Sequence, residues 1–221
     1  MGEVFASVLL AALASALQYP GGVNALARSA EPPWWYVVVS LVCLWGGFAV
    51  AIYVARERAG LTALPAQWRF RPSDVKYVVL GVVLQLGVDA AYAPWHLRHF
   101  NQPVHHLFGG AHGGYALAIG LMTMVGAPFM EEYFFRGLVF RALRGAFHAR
   151  ERGAALWVAI VVSAVVFALA HGEAAQFAGL AAVGVVLSLL VVRTNRLTPS
   201  FLTHASFNAV ALVALFSQRS H

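Results

Sequence analysis

Charge is the scarcest commodity in this sequence. Of its 221 residues only 11% are Asp, Glu, Lys or Arg and 60% are hydrophobic, with a mean hydropathy of +0.71; a soluble domain carries about 25% charged residues. A water-soluble globule is excluded. Cysteine is nearly absent too, Cys43 being the single one, so neither a disulfide framework nor a cysteine-based zinc site is available. Lys76 is the one lysine among 15 basic residues, which, with much Ala, Gly and Val, leans toward a GC-rich bacterial source. The net charge of +6 and pI near 10.0 raise the question of nucleic acid, but the basic residues sit in short clusters between apolar runs and form no stripe. Nucleic acid is therefore not an expected partner, and anionic lipid headgroups are.

What is present in abundance is apolar sequence in runs long enough to cross a bilayer, about 20 residues per helix. The expected fold is an all-α polytopic transmembrane helix bundle of about seven spans, with six to eight allowed by length. The runs are Val4–Tyr19, Trp34–Ala55, Val75–Trp95, Tyr115–Phe129, Leu156–Ala170, Phe177–Val192 and Phe201–Phe216. Ala14-Ser15-Ala16 imitates a signal-peptidase site, but the start carries Glu3 and no basic residue, so the first run reads as a mature span. Basic residues decide orientation. With a cytoplasmic N-terminus, twelve fall inside (Arg56, Arg58, Arg69, Arg71, Lys76, Arg136, Arg141, Arg144, Arg150, Arg152, Arg193, Arg196) and three outside (Arg28, Arg98, Arg219). No repeat or linker divides the chain, so residues 1–221 read as one integral membrane domain, in a bacterial inner membrane if the compositional lean holds.

In so apolar a chain the polar residues carry the information, since a central charge costs about 2.5–3.5 kcal/mol on insertion scales. The densest group is Glu131-Glu132-Tyr133-Phe134-Phe135-Arg136. On a helix Glu132 and Arg136 share a face at i, i+4 and can pair, while Glu131 points about 100° away and keeps its carboxylate free. The alternative is an interfacial charge pair, which leaves the second glutamate unexplained. His171 ends an apolar run with Phe167 one turn earlier, placed to pack on the imidazole; His204 and Asn208 share a helix face, as an oxyanion hole requires or as interhelical polar glue also would.

Taken together these segments resemble the CAAX protease and bacteriocin-processing (CPBP) family of intramembrane proteases, which includes Rce1-like enzymes and Abi proteins. Its EExxxR, FxxxH and HxxxN patterns correspond here to Glu131–Arg136, Phe167–His171 and His204–Asn208, in family order. The resemblance covers residues 115–216, the expected catalytic core. It implies an intramembrane endopeptidase in which Glu131 is the general base that activates water, His171 positions that water, His204 and Asn208 stabilise the oxyanion, and Glu132 and Arg136 are structural. No cofactor is implied. Zinc held by Glu131, His171 and His204 is the rival, although the HExxH helix of ordinary zinc proteases is absent. The implied partner is a membrane-anchored protein or peptide: a prenylated CAAX-like tail, a leader peptide or a C-terminal sorting tail. A non-catalytic membrane protein (bacteriocin immunity factor, scaffold or transporter) remains the reading from another class.

Chain geometry adds a condition. Glu131 and His171 each lie 20 residues from Glu151, so antiparallel helices hinged there hold them level, but His204 is only eight residues past Arg196. The three meet only if residues 194–203 dip into the membrane or residues 137–148 lie flat along its surface. Two other features read as peripheral: the solvated loop with His96, His99, His105, His106 and His112, and Asp89, a candidate buried charge in the third span.

Overall fold

The computed structural model describes residues 34–59, 68–95, 113–147 and 153–219. Within them every regular element is helical: α1 (Trp34–Ala59), α2 (Val75–Tyr92), α3 (Gly113–Ala146), α4 (Ala154–Ala170), α5 (Phe177–Thr194) and α6 (Thr198–Arg219). Four stretches, Pro72–Tyr92, Gly113–Ala146, Ala174–Thr194 and Thr198–Ser217, are long and apolar enough to cross a membrane, and Val39–Ala55 and Ala154–Ala170 are shorter apolar helices. This is a polytopic membrane helix bundle. Six of the expected spans coincide with α1 to α6, while Val4–Tyr19 and the histidine-rich loop lie outside the described residues.

One boundary is corrected. The helix expected to end at Phe129 runs on to Ala146, because Arg136, which looked like a loop charge, is neutralised by Glu132 inside the helix. Two stretches of α3, Met122–Gly126 and Glu132–Val139, are π-helical, with wider turns than α-helix and i→i+5 backbone bonds.

Small residues set the packing, as they do wherever helices associate without water to drive them together. On α2, Gly81 lies flush against α6, where a Cβ would run into Ser206 Oγ and the Thr203 carbonyl; Thr203 Oγ1 donates to the Tyr77 carbonyl across the same contact (3.0 Å). On α5, a Cβ at Gly184 would stand 2.9 Å from Ala164 of α4. Aromatic rings join α1 to α3: Phe48 stacks on Phe134 at 4.3 Å and meets Phe135 edge-on at 5.8 Å, and the Trp45 ring lies over Gly126.

The α5–α6 turn is packed against the rest of the protein. Asn195 takes the left-handed conformation (φ 51°) that ends α5, and Arg196, Leu197, Thr198, Pro199 and Ser200 are all buried. The turn is thus sunk into the bundle, which brings the first turns of α6 level with the middle of α3. Arg196 tolerates burial because Asp74 grips it bidentately (both bonds 2.7 Å) and the Arg69 carbonyl accepts a third bond at 2.7 Å. Those bonds to Asp74 push the already high pKa of Arg196 higher still, so its charge is permanent.

Candidate active site

Three helix segments converge: the second π-turn region of α3 supplies Glu131, Glu132 and Arg136, the end of α4 supplies Phe167 and His171, and α6 supplies Ser200, His204 and Asn208. Glu132 and Arg136 are both fully buried and paired, Nη1 to Oε1 at 3.0 Å. Glu132 Oε1 also faces His204 Nδ1 at 3.0 Å, and Oε2 accepts from Ser200 Oγ. Arg136 Nη2 donates to the Gly184 carbonyl at 3.3 Å, tying α3 to α5. A charge buried this deeply is tolerable only when paired and hydrogen-bonded, and both charges here are.

Glu131 is placed otherwise. Its Oε2 is buried and accepts no hydrogen bond among the described residues, yet His171 Nε2 and His204 Nε2 each lie 3.8 Å from it. That distance is too long for a direct hydrogen bond and within the span of one bridging water. The carboxylate keeps 15% of its side-chain surface open and His171 28%, against 5% for His204, so the site opens on the His171 side.

The far sides of the two imidazoles are fixed. His171 Nδ1 lies 2.8 Å from the Phe167 carbonyl, which can only accept, so Nδ1 carries the proton and the neutral ring offers a lone pair at Nε2. His204 Nδ1 faces Glu132, likewise an acceptor, so its Nε2 donates only when the ring is doubly protonated. Phe167 is the wedge between them. Its ring meets His171 at 4.6 Å and His204 at 5.7 Å, both edge-on, while the Arg136 guanidinium covers it at 4.2 Å. The FxxxH spacing therefore holds two histidines and a cation in place.

Asn208 stands apart from this group. One turn beyond His204, it donates Nδ2–H to the Thr123 carbonyl at 2.9 Å, an interhelical bond that leaves its second N–H; among the described residues no hydrogen bond joins it to Glu131, His171 or His204. Asp89 is exposed rather than buried and accepts from Gln85 of its own helix at 2.8 Å. Sequence reading passed over Ser200 and Gly184. Ser200 lay in an unremarkable Thr-Pro-Ser helix start, and Gly184 acts through its carbonyl, which no side-chain pattern reveals.

Comparison with known proteins places these elements. Residues 113–210 match the family model "Type II CAAX prenyl endopeptidase Rce1-like". A stretch of 95 residues is 33% identical to the membrane-embedded CAAX protease MroQ of Staphylococcus aureus (strain USA300), covering 43% of this chain and 38% of that protein. This chain thus matches well under half the length of that relative. No solved structure matches it.

Proposed function

Over residues 113–210 the chain belongs to the CAAX protease and bacteriocin-processing family, and on that premise we propose that it is an intramembrane endopeptidase that hydrolyses a peptide bond of a membrane-anchored substrate with a glutamate-activated water. The observation that carries this reading is the Glu131 carboxylate: buried at Oε2, with no hydrogen bond to that oxygen among the described residues, and flanked at 3.8 Å by two imidazole nitrogens. An unspent acceptor in such a setting is what a general base needs.

In the proposed reaction a water between Glu131 and His171 gives its proton to Oε2 of Glu131 while its oxygen attacks the scissile carbonyl carbon. His171 Nε2 orients the water by accepting its other hydrogen. The negative charge that develops on the carbonyl oxygen is met by an N–H of doubly protonated His204 and by the free N–H of Asn208. The carbon–nitrogen bond then breaks, and the proton held by Glu131 passes to the departing amine. Glu132 and Arg136 take no part in bond making; they fix His204 through its Nδ1. Replacing Glu131 by Gln is expected to abolish cleavage of a panel of membrane-anchored peptides by the purified protein, products being read by mass spectrometry, while the melting temperature stays within a few degrees of wild type. Cleavage at the wild-type rate by Glu131→Gln ends the assignment.

One observation favours a zinc-dependent version. Both histidines present Nε2 to the same carboxylate oxygen with Nδ1 held by an acceptor, which is the outer-shell pattern of zinc ligands. Against it, the HExxH helix of ordinary zinc proteases is absent from the sequence, and an amide one turn beyond His204 suits an oxyanion hole better than a ligand set. We therefore propose metal-free catalysis. Exhaustively chelated protein is expected to keep its activity, and Asn208→Ala to lower turnover by ~10²- to 10³-fold with little effect on binding. Loss of activity on chelation and its recovery with stoichiometric zinc would reverse the choice.

A further inference from the structure

α4 ends at Ala170 with His171 as its C-cap, and the next two residues break the helical path. Gly172 takes a left-handed conformation (φ 68°), the usual way for a helix to stop, and Glu173 follows in extended backbone (φ −109°, ψ 98°). Glu173 precedes the short helical turn Ala174–Gln176, and its side chain makes no capping bond there. It lines a cavity of about 430 Å³ with Ala168, Leu169, Gly172, Ala174 and Phe177. Among the described residues its carboxylate has no hydrogen bond or ion pair, whereas Asp74, Glu132 and Asp89 all have a side-chain partner.

An apolar trough with one unspent, half-buried carboxylate matches one kind of guest: a long aliphatic stem that ends in a cation. We propose that this cavity is a substrate subsite, and that Glu173 selects an arginine or lysine side chain close to the scissile bond, its stem lying along Leu169 and Ala168, its charge against the carboxylate and, for arginine, its guanidinium plane near the Phe177 ring. The cavity begins one residue beyond His171, so a peptide entering there places that side chain within a few residues of the bond cut. Glu173 is a specificity residue in this scheme and takes no part in the chemistry. The assignment rests on the protease reading, so its test reads binding apart from cleavage.

The probe is an apolar, detergent-solubilised peptide with one variable position scanned along it, carrying arginine, its uncharged isostere citrulline, or glutamate. Binding to the Glu131→Gln protein is followed by fluorescence anisotropy in micelles free of anionic lipid. At one or two adjacent positions the arginine peptide is expected to bind at least about tenfold tighter than the citrulline peptide. That advantage is expected to vanish in Glu131→Gln/Glu173→Gln and to turn into a preference for glutamate in Glu131→Gln/Glu173→Arg, with all three proteins showing wild-type helicity and melting. Equal binding of arginine and citrulline at every position, or an advantage that survives Glu173→Gln, overturns the subsite. Cleavage by protein with Glu131 intact separates the two ideas: Glu131-dependent cleavage without a basic preference sinks the subsite alone, and a basic preference in binding with no cleavage of any peptide sinks the protease reading alone.

Discussion

Glu132 accepts hydrogen bonds from three side chains, whereas among the described residues Glu131 Oε2 accepts none, although they are neighbours on one helix. The difference follows from a step of about 100° around the axis, which turns Glu132 to Arg136 and α6 and leaves Glu131 facing the histidines. Two carboxylates of the same type thereby acquire opposite surroundings. The pair with Arg136 is fully buried, so removing one partner leaves an uncompensated charge and is expected to cost ~3–5 kcal/mol. Arg136→Leu should show that loss in denaturant titration in detergent, and the double variant Glu132→Gln/Arg136→Leu should recover much of it, since no charge is then left alone. If the single variant is as stable as wild type, the pair does not hold the site together.

At the level of helices, the site depends on how closely α3, α4, α5 and α6 approach. Gly184 shows this best, because its missing side chain admits Ala164 of α4 and its carbonyl receives Arg136 of α3. A methyl there meets the α4 backbone and the Ala164 side chain rather than a flexible tip, so Gly184→Ala is expected to push α4 from α5 and destabilise the protein by ~1–3 kcal/mol. Since His171 is the C-cap of α4, the same change should lower turnover more than substrate affinity. Unchanged melting and kinetics would show that the helices part without strain. The π-turns of α3 belong to this scale as well: such turns cluster at functional sites, and here one of them carries Glu132 and Arg136. The other carries Thr123, whose carbonyl accepts from Asn208.

For the whole molecule, the Asp74–Arg196 clamp and the packing of Gly81 bind α2, which precedes the family match, to α6 within it. The matched segment therefore does not account for the site by itself: α6 is held in register by a helix outside it. The basic residues predict the topology. With Arg136 and Arg196 withdrawn into the bundle, ten basic residues remain on the expected inner side against three outside, and the bias still favours a cytoplasmic N-terminus. Reporter fusions in the Arg56–Arg71 connection and after His221 are expected on opposite faces of the membrane; both on one face would overturn the seven-span arrangement.

Composition and apolar runs were enough to determine an all-helical membrane bundle and the approximate place of α1 to α6, because insertion into lipid is decided locally, by length and hydropathy. The Glu132–Arg136 pair and the packing of Phe167 on His171 were legible too, since i, i+4 neighbours meet on any helix. What no local pattern contains is which helices touch. The burial of residues 196–200, the bonds of Ser200 and His204 to Glu132, and the engagement of Asn208 with Thr123 all depend on contacts between residues far apart in the chain. Burial of that turn is possible only because Asp74, more than a hundred residues earlier, neutralises Arg196. Tertiary structure alone decided that Glu131, His171 and His204 face one point, because small residues such as Gly81 and Gly184 let the helices come close enough.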